Sequence, residues 1–395
     1  MDSYYEFQSS AKILSGSNAL ENIPSELENL NVKRPILLSD GVLSKIGTLQ
    51  IVEEALNVGG IEPAYIVTDI PADSSSEVVN RIARIYHSYR CDGIIAVGGG
   101  SVIDTAKGVR MLLSQDVTDI MELMGCEGIP RGHMIPFLIV PTTSGTGSES
   151  TLVAVIKDKQ RKIKMEFISY YLQPDVAILD PRMTRTLPPR MTASTGMDAL
   201  CHAIEAYSCL QKNPLSDAYA TAAIAMIREN LFRAVRHGHN DQARLAMANA
   251  SLMAGAAFSN SMVGIVHAIG HALGGVCHVP HGDAMSVLLP VCMAYNLDTC
   301  GEDYGKLLLY LGGDELYAST PREKRAKKSI SIVRKMCLEL NRICGLPLTL
   351  QDLRVNPADF GQVAETALND GAMIVNPKKA DKKDVLRILD KAYGK

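Results

Sequence analysis

One aspartate and three histidines in the second half of the chain have the types and spacing of a divalent-metal site. Asp198 and His202 lie four residues apart in GMDALCHAIEAY, so on a helix both side chains project from one face. His267 lies in a second Ala- and Gly-rich segment, VHAIGHALGG, and His281 follows in VPHGD. One carboxylate and three imidazoles that converge from several elements suit Fe(II) or Zn(II). A structural zinc site would normally use cysteines instead.

Each of these histidines, taken singly, is more often a hydrogen-bonded core or surface residue than a metal ligand. Together they recur in segments whose Ala, Leu and Gly content predicts buried helices, where a polar side chain needs a partner. One ion would satisfy all of them. His271, one turn after His267, is then our candidate for a catalytic proton relay to solvent, because imidazole titrates near neutral pH. A purely hydrogen-bonding role beside the ligands is the alternative.

A glycine-rich turn in the first half of the chain has the features of a phosphate site. Gly98, Gly99 and Gly100 follow the apolar segment GIIAV and open the segment TAKGVRMLL. Glycines let the backbone approach a ligand, and the first N–H groups of the following helix have no partner within it. With the helix dipole, they form a site for a pyrophosphate. The alternative is a plain turn, which needs only one glycine, and the motif is neither GxGxxG nor a Walker sequence.

A loop rich in hydroxyl groups, PTTSGTGSE from Pro141 to Glu149, follows the next apolar segment in the same way. Because ligands of open parallel sheets bind at the carboxyl ends of the strands, the two loops predict one crevice for a dinucleotide. Asp40 ends an earlier strand, where a carboxylate would accept hydrogen bonds from ribose hydroxyls and repel a 2′-phosphate. That favours NAD over NADP. The alternative for Asp40 is a turn residue before Gly41.

The elements that position these groups divide the chain into two parts. Short apolar segments alternate with helical patterns up to about residue 185, which predicts a parallel sheet with crossover helices. The predicted strands are Pro35–Asp40, Ala64–Asp69, Gly93–Val97, Ile135–Val140 and the segment VAIL, and Ser76–Tyr89 is a predicted helix. The remainder is rich in Ala, Leu and Met, and it predicts long buried helices at Asp217–Leu231 and Asp241–Phe258. We therefore predict an α/β dinucleotide-binding domain over 1–185 and an all-helical catalytic domain over 186–395.

Composition excludes several classes of function. The 395 residues carry a net charge of −3, which argues against a protein that binds nucleic acid mainly through phosphates. The sequence has no apolar segment long enough for a membrane span and no secretory signal. Nine cysteines without a CxxC pair predict reduced thiols rather than disulfides or a zinc finger. These features predict a cytoplasmic protein with no membrane or nucleic-acid partner.

The combined motifs resemble those of the iron-containing (group III) alcohol dehydrogenases. The resemblance rests on GGGSVIDTAK, PTTSGTGSE, TGMDALCHAIEAY, VHAIGHALGG…VPHG and DGAMIVNPK, and it extends from about Phe7 to the C-terminus. It implies a Rossmann-like parallel-sheet domain followed by an all-α domain, the dehydroquinate synthase-like fold. It also implies Fe(II) as the first expectation for the metal, with Zn(II) second, held by Asp198, His202, His267 and His281. The residues that it implies at the dinucleotide are Asp40, Gly99, Gly100, Ser101, Asp104, Thr142, Thr143, Thr146 and Lys164.

The expected activity is metal-dependent hydride transfer between a primary or small alcohol and NAD(H), with an aldehyde as the reverse substrate. The metal would activate the alcohol oxygen. Val153, Val155 and Phe258 are weaker candidates for the substrate pocket, and simple core packing is their alternative. A lyase that uses NAD only transiently and a non-enzymatic NAD-binding protein are the competing hypotheses. The family resemblance also implies a homodimer or a larger homo-oligomer.

Overall fold

The structure is a computed structural model that describes residues 4–124, 129, 132–158 and 163–394. The backbone divides into two compact units. The first comprises Gln8–Thr186, and the second comprises Leu187–Lys395 together with the N-terminal residues before Gln8.

A parallel six-stranded sheet organises the first unit. Its strands run in the order β1-β8-β5-β4-β2-β3, and a separate antiparallel pair joins β6 to β7. The strands of the described residues, numbered along the chain, are β1 Lys12–Ser15, β2 Pro35–Leu38, β3 Tyr65–Val67, β4 Gly93–Gly98, β5 Phe137–Pro141, β6 Val153–Asp158, β7 Ile163–Ile168 and β8 Val176–Leu179. Its α-helices are α1 Ile23–Asn29, α2 Gly41–Lys45, α3 Thr48–Val58, α4 Ser76–Ser88 and α5 Gly100–Ser114.

The central strands are buried on both faces because helices pack against each side of the sheet. Ile94 and Ala96 of β4 face a cluster that includes α4 and α5, whereas Ile95 and Val97 face a cluster that includes α1 and α3. Successive side chains of a strand point to opposite faces, so both sets are apolar only where both faces are covered. This is why the sequence shows continuous apolar segments here rather than an alternating pattern.

The predicted strands of the parallel sheet are confirmed, with shorter bounds at several ends. The predicted Ala64–Asp69 becomes Tyr65–Val67, and the predicted Pro35–Asp40 ends at Leu38. The sequence analysis did not predict β1 at the edge of the sheet or the β6–β7 hairpin. Strand β6 alternates half-buried and buried residues and includes charged side chains, so it lacks the continuous apolar signal.

The regular secondary structure of the second unit is helical in its described residues. Its helices are α6 Pro189–Ser208, α7 Pro214–Arg236, α8 Asp241–Ser259, α9 Ile265–Cys277, α10 His281–Gly312, α11 Asp314–Ser319, α12 Arg322–Cys344, α13 Phe360–Leu368, α14 Gly371–Ile374 and α15 Lys382–Tyr393. One large apolar cluster holds them together, and α6 contributes a fully buried stretch that includes Ala199, Leu200 and Ala203. An α/β unit followed by an all-helical unit confirms the predicted fold class. None of the described helices is long and apolar enough to cross a bilayer.

Candidate functional site

The four predicted metal ligands converge within the helical unit. Asp198 and His202 lie one turn apart on α6, His267 is the third residue of α9, and His281 is the first residue of α10. Asp198 Oδ1 lies 3.9 Å from His202 Nδ1, 3.8 Å from His267 Nε2 and 3.3 Å from His281 Nε2. Two atoms that each lie about 2.1 Å from one ion are separated by at most roughly 4.2 Å. The spacing of these atoms therefore fits a shared divalent ion.

Unpartnered atoms in the interior support the same interpretation. Asp198 Oδ1, His202 Nδ1 and His267 Nε2 are buried and make no hydrogen bond. A buried polar atom without a partner costs free energy, and the three atoms converge on one point, so a metal ion would satisfy all of them. The side chain of His281 is 40% exposed, whereas the other three are nearly inaccessible. The cluster is therefore open on the His281 side.

The surroundings of His202, His267 and Asp198 favour the protonation states that metal binding needs. Burial lowers the pKa of His202 to about 3 and lowers the pKa of His267 well below its usual value. Burial alone would raise the pKa of Asp198, but His202, His281 and His267 together lower it well below its usual range. Neutral imidazoles and an ionised carboxylate are the forms that bind a divalent ion.

Aromatic contacts and one carboxylate order the edge of the cluster. The ring of Phe258 stacks on His202 with centroids 4.3 Å apart, so this candidate pocket residue lies directly beside a ligand. The ring of His271 stacks on His281 at 5.5 Å, and its Nδ1 lies 2.9 Å from Asp370 Oδ2. Asp370, which belongs to the DGAMIVNPK segment, is not among the site residues predicted from the sequence.

Glu205 is a second residue that the sequence analysis missed. It lies on α6 one turn after His202, and its Oε2 is 2.5 Å from His267 Nδ1. Burial raises the pKa of this carboxyl to about 7. A buried acid in an Ala-rich helix next to a predicted ligand was the available signal, because such a group needs a partner.

In the α/β unit, the glycine turn and the threonine loop pack against each other. Helix α5 begins after Gly99, and no side chain caps its N-terminus. A Cβ added at Gly99 would lie 3.2 Å from Thr143, and one added at Gly100 would lie 3.0 Å from Thr146. The two glycines thus permit the close approach of the two loops, and they leave the first N–H groups of α5 without a capping side chain.

Several predicted dinucleotide residues hold these loops in place. Asp104 accepts hydrogen bonds from the Ser148 hydroxyl at 2.8 Å and from the Val155 backbone at 3.1 Å. The Ser101 hydroxyl donates to the Ala72 carbonyl. The Thr142 backbone donates to the Gly98 carbonyl at 3.0 Å, which joins the ends of β4 and β5.

A fully buried lysine, which the sequence analysis also missed, ties α5 to the end of the threonine loop. Lys107 Nζ donates to the carbonyls of Thr151 and Val153, each at 2.8 Å, and to the Ser148 hydroxyl at 3.2 Å. Burial lowers the pKa of Lys107 to about 8, and burial raises the pKa of the neighbouring Glu149 to about 7. The lysine therefore connects the helix of the glycine turn to the loop that packs on it.

The remaining predicted residues of this unit lie at other edges. Asp40 caps α2, because its Oδ1 accepts from the backbone of Val42 at 2.8 Å and of Leu43 at 3.0 Å. Lys164 pairs with Lys157 across the β6–β7 hairpin, and its side chain lies outside the described residues. Val153 and Val155 are both half-buried on one face of β6.

The parallel sheet with its two packed loops, and the Asp/His cluster in the helical unit, are the features expected of a metal-dependent, dinucleotide-linked class of dehydrogenase. Comparison with known protein families agrees. Residues 10–181 match the iron-containing alcohol dehydrogenase family, and residues 192–393 match the C-terminal part of the Fe-containing alcohol dehydrogenase family. The chain belongs to the iron-containing alcohol dehydrogenases, and this membership supports alcohol oxidoreduction as its activity.

Similar proteins cover the whole chain. The 1,3-propanediol dehydrogenase of Klebsiella pneumoniae is 36% identical over 380 residues, which is 96% of each chain. The NAD-dependent methanol dehydrogenase of Bacillus methanolicus is 33% identical, over 95% of this chain and 97% of its own. A crystal structure of 1,3-propanediol oxidoreductase superposes with a TM-score of 0.93 at 34% identity, and it covers 99% of this chain and 100% of that one.

Proposed function

We propose that the protein transfers a hydride between a primary or small alcohol and NAD(H), with the aldehyde as the substrate in reverse. The observation that carries this proposal is the set of buried, unpartnered atoms on Asp198, His202 and His267, which converge with His281. In a helical core without a bound ion, buried polar atoms normally have hydrogen-bond partners, and three such atoms without partners would not be expected to lie together.

The donor set indicates which group these residues hold. One carboxylate and three imidazoles suit Fe(II), our first expectation, and also Zn(II). When bound, such an ion acts as a Lewis acid on the oxygen of an alcohol or aldehyde. Asp198, His202 and His267 form the buried side of the site, and His281 lies on its exposed side.

The loops of the α/β unit supply the dinucleotide site in this proposal. The uncapped N-terminus of α5, with Gly99, Gly100 and Ser101, would hold the pyrophosphate, and the Thr142–Thr146 loop would line the same edge of the sheet. Asp104 acts by orienting that loop. We assign residues 1–185 to dinucleotide binding and residues 186–395 to metal binding and catalysis. Lys164 stays in the proposed cofactor set on the family resemblance alone.

Asp40 is the residue on which we base the proposed preference for NAD over NADP. It engages the backbone of α2 through Oδ1, and both of those hydrogen bonds use the same oxygen. The carboxylate at this strand end would accept from the ribose hydroxyls and would repel the phosphate of NADP.

His271 is the proposed group for proton exchange with solvent. Its side chain is 34% exposed, it stacks on His281, and Asp370 holds its Nδ1. Asp370 fixes the orientation of the ring, and the partly exposed imidazole would exchange the proton with solvent. Phe258 would present an apolar surface to the substrate beside His202, and Val153 and Val155, which are half-buried on one face of β6, remain proposed pocket residues.

The test is an NAD(H)-linked panel of alcohols and aldehydes on protein loaded separately with Fe(II) and Zn(II), with NADP(H) in parallel. We expect NADH formation with primary alcohols, abolished by the isosteric change Asp198→Asn. No rate with any alcohol or aldehyde would refute the dehydrogenase proposal. Product formation without net NADH would favour the lyase, and nucleotide binding without bound metal or turnover would favour the non-enzymatic protein.

We also propose a homodimer or a larger homo-oligomer, which light scattering would test. Free thiols at the described cysteines support a cytoplasmic setting.

A further inference from the structure

Glu205 of α6 makes hydrogen bonds to a different helix, α9. Its side chain is buried, and both carboxylate oxygens contact the beginning of α9. Oε1 accepts from the Val266 backbone at 2.8 Å, and Oε2 accepts from the His267 backbone at 3.3 Å. Helix α9 has Gly264 at its N-cap and so has no capping side chain of its own. The carboxylate of a different helix therefore caps α9, where the helix dipole favours a negative charge.

The same carboxylate also contacts the ring of the metal ligand on that helix. His267 Nδ1 lies 2.5 Å from Glu205 Oε2, and the opposite ring nitrogen, Nε2, is the unpartnered atom that points at Asp198. A proton on Nδ1, held by the carboxylate, leaves the lone pair of Nε2 available for an ion. Carboxylates in this position fix the tautomer and the orientation of a ligating imidazole and increase its basicity.

Solvent and substrate have little access to this carboxylate. Behind it lies a cavity of about 10 Å³, lined by Ser208, Asn296 and Tyr304 among others, which has room for no more than about one water molecule. Glu205 lies on the side of His267 away from the converging ligand atoms, because it binds Nδ1 rather than Nε2. It therefore acts through His267.

We propose that Glu205 is a positioning residue for the metal centre, which fixes the beginning of α9 and the tautomer of His267 with one carboxylate. The effect on metal affinity separates this role from simple capping. Loss of the Glu205 carboxylate weakens metal binding, and the decrease in affinity is larger than that caused by removing another cap of the same helix end. The inference rests on the proposed function, because it requires that the cluster holds an ion.

Asn376 provides the matched control. Its Oδ1 accepts from the backbone of Ile265, the first residue of α9, at 3.2 Å, and it is as deeply buried as Glu205. It caps the same helix end and does not bond to the ring of His267. Asn376→Ala therefore removes this cap, together with the hydrogen bonds that Asn376 makes to the Asn296 side chain and the Lys378 carbonyl, and it leaves the carboxylate–imidazole contact in place.

The experiment measures the dissociation constant of Zn(II), by competition with a chromophoric chelator, for the wild-type protein, Glu205→Gln and Asn376→Ala. The melting temperature of each metal-free protein is measured alongside. We expect Glu205→Gln to raise the dissociation constant about 10- to 100-fold. We expect Asn376→Ala to lower the melting temperature while the dissociation constant stays near that of the wild type.

Three outcomes overturn the inference. In the first, Glu205→Gln binds zinc as tightly as the wild type. In the second, Asn376→Ala weakens zinc binding as much as Glu205→Gln does. In the third, the wild type binds no divalent ion. Only the last of these also refutes the proposed function. If Glu205→Gln does not fold, ¹⁵N spectra of histidine-labelled wild-type zinc protein decide the question. Protonation of His267 at Nδ1 supports the inference, and protonation at Nε2 contradicts it.

Discussion

The substitution Gly282→Ala tests whether helix packing sets the geometry of the metal centre. Gly282 follows His281 on α10, at the point where this helix packs on α6. A Cβ at this position would lie 2.6 Å from the Ser194 hydroxyl and 2.8 Å from the Ser194 carbonyl oxygen. Carbon atoms in contact normally lie about 3.5 Å or more from their neighbours. The hydroxyl can rotate away, but the carbonyl belongs to the backbone of α6.

The beginning of α10 must therefore move by roughly half an ångström or more. Overpacking of this kind costs about 1–3 kcal/mol of stability. The movement also changes the position of His281 relative to Asp198, which now lies 3.3 Å from it. Metal–ligand distances tolerate deviations of only about 0.2 Å. We expect the metal dissociation constant to rise about 10-fold or more, which corresponds to about 1.4 kcal/mol.

Urea unfolding of the metal-free protein gives the stability change, and chelator competition gives the metal affinity. Gly301→Ala is the matched control, because Gly301 lies in the same helix and a Cβ there would meet nothing within 4 Å. An alanine in an open helical position is neutral or stabilises by up to about 1 kcal/mol. If Gly282→Ala matched Gly301→Ala in both stability and metal affinity, the packing argument would be refuted.

Three further predictions concern groups away from the ligand atoms. Lys107→Met leaves the carbonyls of Thr151 and Val153 without their donor. We therefore expect the free energy of unfolding in urea to fall by about 2–4 kcal/mol, and we expect fluorescence titration to show weaker NADH binding. Unchanged values of both would contradict the connecting role of Lys107. Burial raises the pKa of Glu149 from 4.5 to about 7, so its stabilising contribution is full below pH 4.5 and is lost as the pH rises through 7. Relative to Glu149→Gln, the wild type should lose about 3 kcal/mol across that window, and parallel pH profiles of the unfolding free energy would exclude the shift. His271→Ala should lower kcat about 100-fold while metal content by atomic absorption stays near the wild type, and equal losses of both would contradict the relay.

The features that the sequence predicted well are those that produce a local pattern. Strands such as β4 are buried on both faces, so they read as continuous apolar segments. Asp198 and His202 are recognisable because a spacing of four places them on one helix face. Gly99 and Gly100 stand out in the sequence as a glycine turn, and the close approach of Thr143 and Thr146 leaves little room for a side chain there.

The features that the sequence did not reveal depend on contacts between distant segments. Glu205 and Lys107 carry ordinary charged side chains in helices. The Ala-rich helix around Glu205 indicates burial, but only the fold shows that Lys107 is buried and which atoms both residues contact. The pairing of His271 with Asp370 joins residues 99 positions apart. The β6 strand lies outside the main sheet and alternates in burial, which gives a weak signal over six residues.

The most direct test of the account is a titration of metal-free protein with Fe(II) under anaerobic conditions, with the rate of NADH formation from a primary alcohol as the readout. The account predicts that the rate rises linearly and reaches a plateau at one ion per chain, because Asp198, His202, His267 and His281 form a single cluster. A full rate in the metal-free protein, or no rate at any Fe(II) concentration, would contradict it.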